Sequence, residues 1–334
     1  MVGAACPTAA GAACGKNNPG DLRNLPRQCI TPSGRELPWA AAFSILPFVN
    51  ESPISNVSDT ARWVAVYRAW ETARADALFQ DPFAERLAGE RGRAMARVMP
   101  RSSRNGWPVI IRTRLIDDAV LAAVAAGCDC VVNLAAGFDT RPYRLALPAS
   151  LPWVEADLPD VIEEKERLLG NDRPRCQLRR IRVDLADAGA RARALEDALG
   201  GASRALVLTE GLLIYLEAEQ VRSLSADLCA RPGIQWWLVD LASPRVLAMM
   251  QKSMGRQMAR APVKFGPPEG VAFFEKSGWT VGRVDSIFHA AGRMRRLPWP
   301  LRPFALFPAP DPRRPGRAPW SGVVELTREA DRPG

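Results

Sequence analysis

The chain has 334 residues, of which 47% are hydrophobic and 24% charged. A polypeptide of this length buries roughly three-quarters of its unfolded surface, so it carries a substantial core and falls outside the disordered and disulfide-stapled classes. No run approaches the ~20 apolar residues of a membrane-spanning helix; the longest, Leu37 to Val49, is interrupted by Pro38 and Pro47.

The net charge of +9 raises nucleic acid as a partner. Lysine stands only at 16, 165, 252, 264 and 276, however, and the arginines are dispersed among 36 acids without an aromatic platform. No nucleic-acid partner is expected, and the excess charge reads as solubility and steering of anionic ligands. Seven cysteines, at 6, 14, 29, 128, 130, 176 and 229, are odd in number and irregularly spaced, which fits a reducing cytoplasm. Cys128 and Cys130 have no second Cys or His pair at zinc spacing, so no metal is expected and Cys130 reads as a small apolar strand residue.

Residues 1–50 are rich in Gly, Pro, Ala and Asn, lack a sustained period and carry no small-x-small cleavage pattern, so they read as a poorly ordered extension rather than a signal peptide. Order is expected from Ser58, with Ser58 and Asp59 capping a helix that carries Ala61, Val64, Ala65, Tyr67 and Ala69. A second helix is expected at Asp81-Pro82, an N-cap acid followed by proline at the first helical position. A third runs from Arg112 to Ala126 and stops at Gly127.

From Asp129 short apolar runs alternate with helical segments. Strands are expected at 130–135, 153–156, 178–183, 205–208 and 235–239, and helices near 160–169, 188–199, 217–229 and 245–260. Such alternation builds right-handed βαβ units and a mostly parallel sheet with helices on both faces. Further on, 269–277 reads as helix, 279–284 and 322–327 as strands, and 293–319 as an Arg/Pro-rich surface excursion. The expected organisation is a helical cover over 57–127, an α/β core over 128–292, and the excursion with a final strand over 293–334, all within one domain from 51 to 334.

The chemistry gathers at the strand ends. The first strand runs into Ala135-Ala136-Gly137-Phe138-Asp139-Thr140, and a glycine there lets a ligand approach the backbone. Twenty residues beyond Gly137, Asp157 closes the second strand, placed to accept hydrogen bonds from ribose hydroxyls. Asp184-Leu185 follows the third strand, able to bracket an adenine, and Thr209-Glu210-Gly211 follows the fourth. The turn is not Gly-x-Gly-x-x-Gly, there is no phosphate-binding Gly-x-x-x-x-Gly-Lys loop and no Gly-x-Ser-x-Gly elbow, and the single histidine is His289. A nucleoside ligand without a pyrophosphate remains, and S-adenosylmethionine fits that description.

The run from Asn133 to Leu145 (NLAAGFDTRPYRL) resembles the signature of the leucine carboxyl methyltransferase family, most closely its bacterial S-adenosylmethionine-dependent O-methyltransferases that include the tetracenomycin polyketide enzymes. Further matches stand in order from Thr60-Ala61 through Arg68 to Glu71, Leu78 to Pro82, Arg112 to Arg114 with Asp117-Asp118, Trp153 to Pro159, and Thr209 to Leu216, ending at Gly278-Trp279. The resemblance covers about residues 57–285 and implies a Rossmann-like methyltransferase fold. Ala135 departs from the family's usual first glycine.

The resemblance also implies roles. Arg112 would pair with the methionine carboxylate of the cofactor, Ala135 and Gly137 would pass beneath it, and Asp157 would hold the ribose. Asp184 and Leu185 would contact the adenine, and Glu210 the cofactor's amino group. Arg141, Tyr143 and Tyr215 flank the expected pocket as acceptor-orienting candidates. A carboxylate acceptor, with a pKa near 4, is already ionised, whereas a phenol with a pKa near 10 benefits from a base. The scarcity of histidine therefore leans toward carboxyl methylation of a small molecule. A protein C-terminal carboxylate, a cofactor-binding module without catalysis and a nucleotide-dependent oxidoreductase are the alternatives.

Overall fold

The structure, a computed structural model, describes residues 57–100, 105–256 and 258–328. The extension 1–50 lies outside the described residues. Seven strands form one sheet among them: β1 (Cys130–Leu134), β2 (Pro152–Asp157), β3 (Gln177–Arg182), β4 (Ala205–Thr209), β5 (Ile234–Ala242), β6 (Thr280–Ser286) and β7 (Ser321–Thr327). Their spatial order is β3-β2-β1-β4-β5-β7-β6. The first five are parallel, and β7 runs antiparallel to both β5 and β6. The expected mostly parallel α/β sheet is present.

Ten helices accompany the sheet in the described residues: α1 (Val57–Thr72), α2 (Ala84–Val98), α3 (Trp107–Ala125), α4 (Arg141–Arg144), α5 (Pro159–Leu169), α6 (Ala188–Leu199), α7 (Ala218–Cys229), α8 (Pro244–Met254), α9 (Ala272–Glu275) and α10 (Ile287–Arg293). Strand β1 is buried along its length because helices cover both faces. Cys130, Val132 and Leu134 enter a cluster with Trp237 and Phe274, while Val131 joins Ile116, Val120 and Leu206 of the other face. Helix α3 thus packs on the sheet itself, whereas Trp63, Tyr67, Leu87 and Met95 of α1 and α2 form a third cluster with Phe138 and Tyr143. At one edge, β3 places Arg179 and Arg182 in solvent, ion-paired to Asp197 and Glu166, which blunts that edge against further pairing.

Several element boundaries differ from the sequence reading for identifiable reasons. Helix α3 starts five residues before Arg112: Gly106 adopts φ 59 and Pro108 occupies the first turn. Asp59 lies inside the first described turn of α1, and its carboxylate takes two 2.6 Å bonds from Arg91. Asp81 serves as the expected cap of the turn that leads into α2: its Oδ1 accepts from the Phe83 N–H at 3.2 Å, Pro82 follows it, and the regular helix begins at Ala84. Its buried carboxylate accepts from Thr140 Oγ1 (2.7 Å) and pairs with Arg68 (3.1 Å), tying the helical layer to the turn after β1. Helix α8 stops at Met254 before Gly255, short of 260, and α9 is only four residues long. The short helices α4 and α10 carry too few turns to display a period in sequence. The excursion 293–319 contains a 3₁₀ segment, Trp299–Leu306, and is otherwise irregular. Among the described residues no helix is long and apolar enough to cross a membrane.

Candidate functional site

A cavity of about 1270 Å³ opens at the carboxyl ends of the strands. It lies where the strand order reverses between β1 and β4, the place at which open α/β sheets present loops to a ligand. All seven residues singled out for a cofactor (Arg112, Ala135, Gly137, Asp157, Asp184, Leu185 and Glu210) line it. So does Asp240, near the end of β5, which the sequence reading missed by ending that strand at Val239. The signal was available: Asp240 repeats the pattern of an acid at the carboxyl end of a strand.

The turn after β1 is shaped by its contacts with β2. Gly137 adopts φ 48, and its N–H donates to Asp157 Oδ2 at 2.6 Å. A Cβ on Gly137 would lie 3.3 Å from the Ala61 methyl, so α1 sits directly against the turn. Asp157 Oδ1 accepts from the Leu158 N–H at 2.7 Å. Each oxygen keeps a second lone pair for a ligand hydroxyl. Burial pushes the Asp157 carboxyl above its ordinary value, against the lowering effect of these two N–H donors.

Ala135 sits at φ 54, in the left-handed region that penalises a Cβ. Its N–H is held by the Ala156 carbonyl at 2.8 Å, which keeps the strained geometry in place. Ala135→Gly is expected to stabilise the protein by about 0.5–1 kcal/mol, the relief of strain outweighing the greater freedom of glycine in the unfolded chain. Urea unfolding of the two proteins measures it, and a lower midpoint for the glycine variant would show that the turn is not strained.

Arg112 projects from the second turn of α3 into a set of carboxylates. Its Nε donates to Glu210 Oε1 (2.9 Å) and its Nη1 to Asp240 Oδ2 (2.8 Å), while Asp240 Oδ1 accepts from the Gly211 N–H (2.6 Å). Burial works against the Arg112 charge, but Asp240 and Glu210 more than offset it and hold the guanidinium well above its usual value. Behind this pair lies Arg141, 1% exposed, donating to Asp117, Asp139 and Glu210 at 2.7–2.8 Å. Burial alone would raise the Glu210 carboxyl; Arg141 and Arg112 bring it below the ordinary range. Asp139 is held low in the same way by Arg141 and Lys165, against its own desolvation.

Of the three acceptor-orienting candidates, only Tyr215 lines the cavity. Arg141 is committed to three buried carboxylates and does not reach it. Tyr143 lies beneath the turn, its hydroxyl accepting from Arg180 (2.6 Å) and its ring against Phe83, 5.5 Å between centroids. Tyr215 is hydrogen-bonded to Thr60, and burial raises its phenol pKa.

Away from the carboxylates the wall turns apolar, with Trp63, Met250, Met254, Met258 and Phe265 inside and Phe304 and Phe307 at the mouth. Tyr67 also lines this half; Trp63 Nε1 donates to its hydroxyl at 2.8 Å, and burial pushes that phenol up to about 12. His289 borders the cavity with both ring nitrogens engaged, Nε2 with the Phe307 carbonyl (2.9 Å) and Nδ1 with Ser286 Oγ (3.0 Å). A carbonyl only accepts, so Nε2 carries a proton. Among the described residues no group of three or more His, Cys, Asp or Glu side chains is arranged to hold a metal ion. Cys130 is buried in β1, which raises its thiol to about 12.

The family model for leucine carboxyl methyltransferase matches residues 61–228, which span the turn after β1, Asp157 and Glu210. The chain belongs to the leucine carboxyl methyltransferase family. A relative from Parafrankia sp., described as "putative S-adenosyl-L-methionine-dependent methyltransferase", is 34% identical over 268 residues, covering 75% of this chain and 85% of the relative. A protein of the same description from Mycobacteroides abscessus is 37% identical over 191 residues, covering 52% of this chain and 61% of its own length. As a member of this family the chain is an S-adenosylmethionine-dependent methyltransferase by class. The fold is shared with a DUF574 family protein of Streptomyces avermitilis (TM-score 0.51, 14% identity, 80% of this chain and 97% of that one). A protein of Thermobifida fusca described as a "putative methyltransferase" gives a TM-score of 0.50 at 14% identity, covering 86% of this chain and all of that one.

Proposed function

We propose that the protein is an O-methyltransferase acting on a carboxylate or hydroxyl of an apolar small molecule in the cytoplasm. The observation that carries this reading is the division of one cavity into a carboxylate-lined end and an apolar end. The residues at the first end suit the cofactor. Arg112 Nη2 is the guanidinium edge left for a methionine carboxylate once Nε and Nη1 are engaged, and Asp157 retains lone pairs for ribose hydroxyls. Asp184 and Leu185 are the adenine-side pair, and Glu210 and Asp240 offer negative charge to an ammonium group. When bound, the cofactor supplies an electrophilic methyl on a sulfonium, whose leaving group is neutral.

The protein's own task is then alignment and exclusion of water rather than proton transfer. Tyr67 and Tyr215, with phenols raised by burial, remain protonated near neutrality, and Tyr215 is the one placed to orient an acceptor oxygen. Neither is a base at that pH, and His289 has both nitrogens engaged. This favours an acceptor that is already ionised, a carboxylate, over a phenol. The cavity exceeds the upper end of common ligand pockets, about 1,000 Å³, leaving room for a second molecule beside the cofactor. Calorimetric titration with S-adenosylhomocysteine, with NADH as control, followed by transfer of labelled methyl to a panel of apolar acids and phenols, tests it. Micromolar S-adenosylhomocysteine binding with turnover on acids is expected. Binding without turnover on any acceptor would leave a cofactor-binding module, and NADH binding alone would overturn the cofactor assignment.

A further inference from the structure

The four most exposed large hydrophobic side chains among the described residues all fall within nine residues of the excursion. Trp299 is 79% exposed, Leu306 88%, Phe307 64% and Phe304 59%. Such an apolar cluster is costly in water unless something covers it. The same excursion, 293–319, holds seven arginines and one acid, Asp311, so six of the chain's nine net positive charges lie in this one segment. Arg293, Arg295, Arg302, Arg314 and Arg317 are exposed. The dispersion of arginines along the sequence therefore conceals a local concentration.

The segment also forms the entrance to the cavity. Phe304 and Phe307 line the mouth, and the Phe307 carbonyl is held by His289 on α10, fixing the strap to the domain at that point. Apolar side chains standing out of an arginine-rich frame match the two layers of an anionic bilayer surface, headgroup phosphates around an acyl interior. Trp299 is the side chain type that settles at that boundary. Eight prolines between 298 and 319 keep the strap from forming a regular helix, so insertion would be by projecting side chains.

We propose that residues 293–319 dock the protein on an anionic lipid surface, from which an apolar acceptor enters the cavity through the mouth at Phe304 and Phe307. The docking step stands independently of the methyl-transfer reading; the entry route rests on it. The occupant is a bilayer rather than a second copy of the chain: Arg296 is spent on Glu71 and Asp76 and Arg313 on Glu275, yet Arg293, Arg295, Arg302, Arg314 and Arg317 against Asp311 still leave a face with four net positive charges, which repels itself across a symmetric interface.

Co-sedimentation of the full chain with vesicles of phosphatidylglycerol and phosphatidylcholine, against phosphatidylcholine alone, tests docking. Retention on the anionic vesicles is expected to exceed that on neutral ones by about tenfold or more and to weaken sharply in 0.5 M salt, where screening shortens to about 4 Å. Two double variants separate the two parts of the surface. Trp299→Ser with Leu306→Ser, at positions that do not line the cavity, removes the apolar part; Arg314→Glu with Arg317→Glu removes four charges. Each is expected to lower anionic retention about tenfold while S-adenosylhomocysteine affinity stays unchanged, which reports an intact fold and cofactor end. Equal retention on both vesicle types, or retention indifferent to both variants, would overturn the proposal. A dimer in solution dispersed by the Trp299→Ser and Leu306→Ser variant, without vesicle binding, would assign the patch to a second copy and overturn it equally.

Discussion

Arg141→Met is expected to destabilise the folded protein by about 3–5 kcal/mol, the range for removing one partner of a buried ion network and leaving the other charge unpaired. At roughly 2 °C per kcal/mol for a domain of this size, the thermal midpoint should fall by about 6–10 °C. The reason is numerical as well as geometric. Arg141 alone serves Asp117, Asp139 and Glu210, and it is 1% exposed, so no water replaces it. Arg144 stays beside Asp117 and Arg112 beside Glu210, which leaves Asp139 as the group with the greatest loss. Asn133 Nδ2 and the Arg141 backbone N–H remain as its donors. Arg141→Lys keeps one charge but cannot fork to three carboxylates, and should recover only part of the loss. Thermal melts of the three proteins decide it; a midpoint shift below about 2 °C for Arg141→Met would mean that the carboxylates find water or protons at little cost.

Asp157→Ala is expected to weaken S-adenosylhomocysteine binding by about tenfold to over a hundredfold, the equivalent of roughly 1.5–3 kcal/mol for a lost charged acceptor. The substitution removes the group offered to the ribose and also the acceptor of the Gly137 N–H, so the turn loses its tie to β2. Asp157→Asn keeps one acceptor oxygen and should fall between the two. The same carboxyl gives the binding a pH dependence. Because burial raises its pKa, protonation begins above the ordinary value of about 4 as the medium is acidified, and affinity should decline through that interval. In the protein without ligand the sign is opposite: a raised folded pKa means that this group's contribution to stability falls as pH rises through the interval. Titrations from neutral to acidic pH on the wild type and Asp157→Asn measure the effect. A folded Asp157→Ala variant with unchanged affinity would place the ribose elsewhere.

What the sequence made legible follows the range of the interactions involved. The central parallel strands β1 and β4 announced themselves as apolar runs because both of their faces are buried, and the acids at the strand ends were visible because strand and turn are adjacent in the chain. Six of the seven positions singled out for a cofactor line one cavity for that reason, and the seventh, Arg112, reaches it from α3. The role of Arg141 was not legible, since two of its three carboxylate partners lie 24 residues before it and 69 after it. Asp81 reads as a cap and caps the turn into α2, but its second task, pairing with Arg68, and the pairing of Asp59 with Arg91 are tertiary contacts that sequence does not display. Asp240 escaped because its strand carries on past it to Ala242, so the acid stands inside the strand and the break at Ser243-Pro244 comes only later.

The position of β7 bears on how the chain reaches its final form. This strand, formed near the end of the described chain, enters the sheet between β5 and β6, and β6 is paired only with it among the described residues. During synthesis the parallel part of the sheet can assemble as its strands emerge, but one side of β5 presents unpaired backbone groups until residue 327 is available. The nascent protein therefore has an interval in which β6 is without its neighbour and the hydrophobic side chains of β5 are incompletely covered. The arrival of β7 closes both gaps at once, since it pairs with β5 on one side and β6 on the other.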